Sequence, residues 1–265
     1  MTSYRLAVVG GGNMGAALMG GLIGAGWPAG DLAVVEVLAG RREQLVGMFP
    51  GVTVTDTIPS CRGALIAVKP YDVLAACSAA AAAGATQLLS IAAGIGIAAL
   101  QQAAGDGVAV VRSMPNTPAL VGKGAAGVCG GPTATEADLV WAEEILGSVG
   151  IVVRVPEAQL DAVTGLAGSG PAYLFLVAEA LTEAGVLAGL SRANSEALVT
   201  QLFVGSATLL AHEGNPAQLR ANVTSPGGTT AAGLRQLEEH GVRSALLEAV
   251  MAATERAREL GRPAH

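Results

Sequence analysis

The chain has 265 residues, of which 51% are hydrophobic, 14% charged and 3% aromatic, and its formal net charge is -6. That length suits two compact units better than one, and so apolar a composition points to much surface hidden in an assembly. A negative balance without a basic run argues against nucleic acid or an anionic membrane as a partner.

Met1-Thr2-Ser3-Tyr4-Arg5 runs directly into a strand-like segment, Arg5 to Val9, with no secretory signal visible. Gly10-Gly11-Gly12-Asn13-Met14-Gly15 follows, and it meets the GxGxxG pattern through Gly10, Gly12 and Gly15 between a predicted strand and a predicted helix. The first glycine makes the turn, the second lets a pyrophosphate approach the backbone, and the third packs helix on strand. Glu36 lies at the end of the next strand, Leu32 to Val37, about twenty residues on, where its carboxylate suits ribose hydroxyls and hence NADH. Arg41 and Arg42 lie within reach of the same edge and suit the extra phosphate of NADPH. Both cofactors stay open at this point.

Short β-branched runs then alternate with helical stretches to about Val155, with strands predicted at 52–54, 64–68, 87–91, 108–112, 125–129 and 151–155. This is the pattern of an α/β unit, a Rossmann-type doubly wound and mostly parallel sheet covered on both faces. The uncharged run from Val73 to Ala104 is long enough to suggest a membrane span, but Gly84, Gln87, Gly94 and Gly96 interrupt it, and it reads as helix-strand-helix. Ligands in open parallel sheets bind beyond the carboxyl ends of the strands, where Ala67-Val68-Lys69-Pro70 and Ser113-Met114-Pro115-Asn116-Thr117-Pro118 fall. Cys61, Cys77 and Cys129 are scattered, with no CxxC and no histidine at ligand spacing. They read as small buried hydrophobes in a reducing cytoplasm, and no metal is expected.

After Pro156 the β signal stops, and Glu157 to Leu260 reads as helices joined by short turns. The predicted division is a dinucleotide-binding domain over 1–156 and an all-α domain for substrate binding and dimerisation over 157–265. Ser191 is a predicted N-cap, Asn215-Pro216 a cap followed by proline at the first helical position, and Gly241 and Gly261 are predicted C-terminal stops. Gly165-Leu166-Ala167-Gly168-Ser169-Gly170-Pro171 permits close backbone approach, to a ligand or to a neighbouring helix. Ala172 to Ala180 and Ala197 to Ala211 are apolar nearly all round, and a helix without a polar face must be buried on every side. About a hundred residues cannot enclose two such helices, so the helical halves of two chains are predicted to interlock.

Val223-Thr224-Ser225-Pro226-Gly227-Gly228-Thr229-Thr230 is a rigid, glycine-opened turn feeding into a helix. Pro226 fixes a backbone angle, Gly227 and Gly228 remove bulk, and the N–H groups of the helix start can close around a small anion such as a carboxylate. His212, His240 and His265 lie in no recognisable motif.

Taken together these segments resemble one family, pyrroline-5-carboxylate reductase, the last enzyme of proline biosynthesis. The likeness runs nearly the full length, from the glycine turn through Ala67-Val68-Lys69-Pro70, Met114-Pro115-Asn116-Thr117-Pro118, Asp161-Ala162-Val163-Thr164-Gly165 and Ser169-Gly170-Pro171-Ala172-Tyr173 to Thr224 through Thr230. The resemblance implies NAD(P)H-dependent reduction of the cyclic imine 1-pyrroline-5-carboxylate to L-proline. It also implies an interlocked homodimer often assembled into larger rings such as a decamer, with a site between one chain's cofactor domain and its partner's helices. Carried over by position, Gly10 to Gly15, Glu36, Ala67 to Pro70 and Ala92-Ala93 are dinucleotide contacts, with Asn222 reaching the cofactor from the helical domain. The turn Ser225 to Gly228 with Thr229 and Thr230 contacts substrate, and Glu157 matches a position near the bound product. Where the family often has Asp-Asn before its third helix, this chain has Asp56-Thr57, so Thr57 stands where an amide would contact the cofactor.

The chemistry fits these residues without the name, because in hydride transfer to a C=N carbon the cofactor carries the difficult step. The protein need only orient the imine, grip its carboxylate through backbone N–H groups around Gly228 and Thr229, and face the ring nitrogen with the Thr230 hydroxyl. No histidine general acid is required. A hydroxyacid dehydrogenase of similar architecture would carry a lysine one or two turns into the long second-domain helix, where this chain reads Tyr173-Leu174-Phe175-Leu176-Val177-Ala178. A nucleotide sensor that binds NAD(P)H without turnover is the other alternative, and the turn at Ser225 to Thr230 argues against it.

Overall fold

The computed structural model describes residues 3–261, so Met1, Thr2 and His265 lie outside the described residues. In chain order the first elements are β1 (Tyr4–Val9), α1 (Asn13–Gly24), β2 (Leu32–Val35), α2 (Ala39–Met48), β3 (Thr53–Thr55), β4 (Cys61–Ile66) and α3 (Val73–Ala82). They continue as β5 (Gln87–Ser90), α4 (Ile97–Ala104), β6 (Ala109–Met114), β7 (Gly124–Gly130), α5 (Glu136–Gly147) and β8 (Gly150–Arg154). Helices follow as α6 (Leu160–Val163), α7 (Gly170–Leu187), α8 (Arg192–Glu213), α9 (Pro216–Asn222), α10 (Thr229–Glu239) and α11 (Val242–Leu260).

The eight strands form one sheet in the order β3-β2-β1-β4-β5-β6-β7-β8. Pairing is parallel throughout except between β6 and β7. The order reverses between β1 and β4, the switch point of a doubly wound α/β fold, where a crevice opens beyond the carboxyl ends of the strands. Each predicted strand is present with shifted ends. β2 stops at Val35 because the next residues turn, with the Leu38 N–H bonded to the Glu36 carboxylate. β4 starts earlier, at Cys61, and ends at Ile66, after which the Ala67 carbonyl lies against Gly10.

Alternation along buried strands feeds two cores. Leu6, Val8, Leu32, Val34 and Leu65 pack with α1 and α5 through Leu18, Leu22, Ile145 and Leu146 on one face. Ala7, Val9, Ala33, Val35 and Ile66 pack with α3 and α4 through Val73, Cys77, Ala80 and Leu100 on the other. Val73 to Ala104 is indeed helix, strand and helix. The three cysteines are free and buried. Burial pushes the thiols of Cys77 and Cys129 up to about 11, which keeps them protonated and unreactive.

Past Pro156 every regular element is helical. The Ser191 hydroxyl caps α8 by accepting from the Asn194 N–H, and Asn215 caps α9 by accepting from the N–H groups of Ala217 and Gln218. Gly241 turns with φ +68 between α10 and α11, and Gly261 follows the last helix. One feature has no counterpart in the sequence reading: Thr164–Gly168 is a π-helical turn, closed by the Ser169 N–H donating to the Thr164 carbonyl at 2.8 Å.

The backbone forms two compact units, one running to Ser169 and resumed from Met251, the other Gly170–Val250. In the second, α7 packs on α8, and Ser195 of α8 sits against Gly185, where a Cβ would collide with the serine side chain. Val199 is the only hydrophobic residue of that unit that is buried within the chain, whereas Leu174, Phe175, Leu176, Leu198 and Leu202 are each more than half exposed. The helices whose composition calls for burial on every side are therefore uncovered in a single chain.

Candidate active site

The glycine turn follows β1. Gly10 has φ +108, a conformation that L side chains rarely adopt, and a Cβ there would lie 2.5 Å from the Ala67 carbonyl oxygen. A Cβ on Gly15 would run into the Gly10 carbonyl, so this glycine lets α1 close on the turn. Around Gly12, by contrast, no atom lies within 4 Å of where a Cβ would stand. Of the three motif glycines, the open one is the position assigned to pyrophosphate approach. Gly12 is also the N-cap of α1 and brings no capping side chain, so the N–H groups of Asn13, Met14 and Gly15 have no intrahelical partner. The residues fit an anionic bridge such as a dinucleotide's.

Glu36, Arg41 and Arg42 converge on this turn. The Glu36 carboxylate accepts the Gly11 N–H at 3.2 Å through Oε2 and the Leu38 N–H at 3.0 Å through Oε1. Arg41 donates from Nε to the Gly11 carbonyl at 2.8 Å and from Nη1 to Gln44. Arg42 donates from Nη1 to the carbonyls of Glu36 and Val37, and its Nη2 stands 3.9 Å from Asp56. Thr57 lies just beyond β3 at the same sheet edge, its N–H donating to the Thr55 hydroxyl oxygen at 3.3 Å.

At the end of β4 the Ala67 N–H donates to the Val9 carbonyl at 2.8 Å, Val68 is half-buried, and Lys69 and Pro70 are exposed. Beyond β5, Ala92 is buried and Ala93 exposed, in a loop turned by Gly94 at φ +78. Two polar residues whose partners the sequence does not show organise this edge. Asn116, buried beyond β6, donates its amide to the Ala167 carbonyl at 3.0 Å and accepts the Ala125 N–H at 2.8 Å, fastening the π turn to the start of β7. Arg112 on β6 donates to Glu157, whose Oε1 also accepts the Ile97 N–H at 2.7 Å. The Pro-Asn-Thr-Pro segment marked Asn116 without showing its partners, and nothing along the chain links Arg112 to a carboxylate 45 positions away.

The second unit holds the other predicted residues. The Gly228 N–H donates to the Ser225 carbonyl at 3.1 Å, and Pro226 followed by Gly227 at φ +69 occupies the corner in the type II arrangement. Gly228 therefore contributes shape, not a donor, and the N–H groups left over are those of Thr229, Thr230 and Ala231 at the uncapped start of α10. Thr229 is exposed and Thr230 half-buried. Asn222, the last residue of α9, accepts from the Gln218 amide at 2.7 Å.

A doubly wound sheet with an open glycine cradle, followed along the chain by a helical unit with a proline–glycine turn at the start of α10, has the architecture of a dinucleotide-dependent oxidoreductase. Residues 157–260 match the family model for pyrroline-5-carboxylate reductase dimerisation, and residues 5–94 match that for NADP oxidoreductase, coenzyme F420-dependent. The pyrroline-5-carboxylate reductase of Corynebacterium melassecola is 41% identical over 97% of this chain and 98% of its own length. The solved pyrroline-5-carboxylate reductase of Coxiella burnetii has a TM-score of 0.92 at 32% identity, covering 99% of this chain and 100% of that one. The Plasmodium falciparum pyrroline carboxylate reductase, solved with NADP bound, has a TM-score of 0.83 at 31% identity with the same coverage. The chain belongs to the pyrroline-5-carboxylate reductase family.

Proposed function

We propose that this chain reduces 1-pyrroline-5-carboxylate to L-proline with NADPH, with NADH as the second choice of donor. The observation that carries the reading is likeness over the whole length, 41% identity across 97% of the chain, to a reductase of that name. When bound, the nicotinamide supplies the hydride. Gly12 and the start of α1 hold the pyrophosphate, with Ala67 to Pro70 and Ala92-Ala93 along the strand ends beside it and Thr57 at the edge. Glu36 accepts two backbone N–H groups, and Arg41 and Arg42, anchored to backbone carbonyls by some of their N–H groups, keep others for a phosphate beside it. That balance favours the phosphate of NADPH over bare hydroxyls.

The substrate carboxylate is held by the free N–H groups of Thr229 and Thr230, shaped by Ser225 and Gly228, and the Thr230 hydroxyl meets the ring nitrogen. Asn222 reaches the cofactor and Glu157 the product. Function divides at Pro156, with 1–156 serving the cofactor and 157–265 substrate and assembly. The exposed faces of α7 and α8 support an interlocked homodimer, itself a unit of a larger ring such as a decamer, in which the substrate turn of one subunit serves the cofactor of its partner. Three buried free thiols suit a reducing cytoplasm.

Steady-state oxidation of NADPH with pyrroline-5-carboxylate tests the reading. Thr230→Ala is expected to lower kcat/KM ten- to a hundredfold, about 1.5–3 kcal/mol for one substrate hydrogen bond. Wild-type kinetics in that variant would remove the role. Arg41→Ala with Arg42→Ala is expected to weaken NADPH more than NADH, and equal losses would show that the pair does not read the phosphate.

A further inference from the structure

Arg112 lies on β6 between Ser90 of β5 and Cys129 of β7, and only 11% of its side chain is exposed. A guanidinium so placed needs a counter-charge, and Glu157 provides it at 2.9 Å. The way it does so differs from the two-pronged arginine–glutamate pairs of the chain. Arg154 with Glu143 and Arg192 with Glu183 are two-pronged, each carboxylate giving both oxygens to one guanidinium. That is the arrangement expected when pairing is the whole purpose. In Glu157, Oε1 alone takes both the Arg112 Nη1 and the Ile97 N–H, and Oε2 has no hydrogen-bond partner among the described residues. The Glu157 side chain is 41% exposed, so the free oxygen belongs to an accessible group whose other end is fixed.

The donors that fix it come from two directions. Arg112 approaches from the sheet, and the Ile97 N–H is the first of α4, behind the loop that begins with Ala92 and Ala93 beyond β5. Glu157 itself follows Pro156 and opens a short 3₁₀ turn, so its backbone is set as well. A carboxylate pinned by one oxygen at the ligand edge of the sheet is preorganised to accept one further N–H.

We infer that Arg112 is a positioning residue for the reaction, holding Glu157 by Oε1 so that Oε2 is presented to the N–H of the protonated ring imine and of the L-proline that it becomes. This rests on the pyrroline-5-carboxylate reductase reading. Arg112→Ala lets the carboxylate swing, whereas Arg112→Lys keeps a cation on the same oxygen.

The test combines kinetics with calorimetric titration of L-proline into wild type, Arg112→Ala, Arg112→Lys, Glu157→Gln and the Arg112→Ala/Glu157→Gln double variant. Arg112→Ala is expected to lower kcat/KM for the imine ten- to a hundredfold and to weaken L-proline similarly, with the KM for NADPH within about twofold. Arg112→Lys should stay within about threefold of wild type, and the double variant should be no worse than Glu157→Gln alone. Losses that multiply in the double variant, or KM values that rise together for both substrates, would overturn the role. If Arg112→Ala does not fold, Glu157→Gln decides, and unchanged L-proline binding there sinks the proposal. A wild type that neither turns over nor binds L-proline overturns the functional reading and Arg112 with it. A wild type that does both, matched by the variants, overturns only Arg112.

Discussion

The two compact units solve burial differently. The sheet unit builds a core of its own, with Leu6, Leu18, Leu32, Leu65 and Ile145 all at 0% exposure. The helical unit leaves Phe175 64% and Leu176 66% exposed, in a segment whose family model is one of dimerisation. Covering five such half-exposed side chains is worth on the order of 5 kcal/mol, comparable with the whole stability of a small domain. The sheet unit thus has its core within one chain, and the helical unit presents an apolar face for a partner to cover.

The sharpest way to break this contrast is a charge on the uncovered face. Phe175→Asp is expected to weaken self-association at least about a thousandfold, because an unpaired carboxylate in a closed interface costs about 4 kcal/mol or more. Sedimentation velocity would show lighter particles that still bind NADPH through the sheet unit, and an unchanged oligomer would refute the division. Within the sheet unit, Gly10→Ala should cost about 3 kcal/mol of stability, since its positive φ and the nearby Ala67 carbonyl both resist a side chain. Gly12→Ala should leave the Tm nearly unmoved yet weaken NADPH about tenfold or more, as its methyl group enters the open cradle. Thermal melts paired with fluorescence titration separate the two, and equal melting losses would count against the cradle.

The smallest effect is at Asp138, buried at the start of α5. Burial alone would raise its pKa, but bonds from Gln87 and from the Thr135 hydroxyl and N–H outweigh this and bring it below the ordinary carboxylate value. A group depressed in the folded state contributes stability above its unfolded pKa, and that contribution fades as pH falls through the lower folded value. Asp138→Asn should therefore lose about 1 kcal/mol at pH 7, the worth of one helix cap, and less once the pH drops below about 4. Urea titrations at both pH values check the sign, and a gap that widens in acid would contradict it.

Much of this molecule was legible along the chain. The eight strands follow from short apolar runs between turn residues, and the helix starts at Ser191 and Asn215 from local capping chemistry, because both signals are short-range. The roles of Gly10, Gly12 and Gly15 were readable for the same reason. What was not legible depends on contacts between distant positions. The Arg112–Glu157 bond and the two bonds of Asn116 exist only once β6, β7 and the π turn have been brought together, and the π turn itself has no local signature apart from small residues. The commitment of the Gly228 N–H to Ser225 likewise follows from turn geometry, which moves the available donors one position along the chain.

Cys61, Cys77 and Cys129 all belong to the sheet unit, none to the helical one, and all three are buried, Cys61 and Cys77 almost completely. The protein therefore carries a built-in clock for one of its halves. A thiol-reactive dye can attach only when the β-scaffold breathes open, so labelling speed reads out that event separately from subunits coming apart.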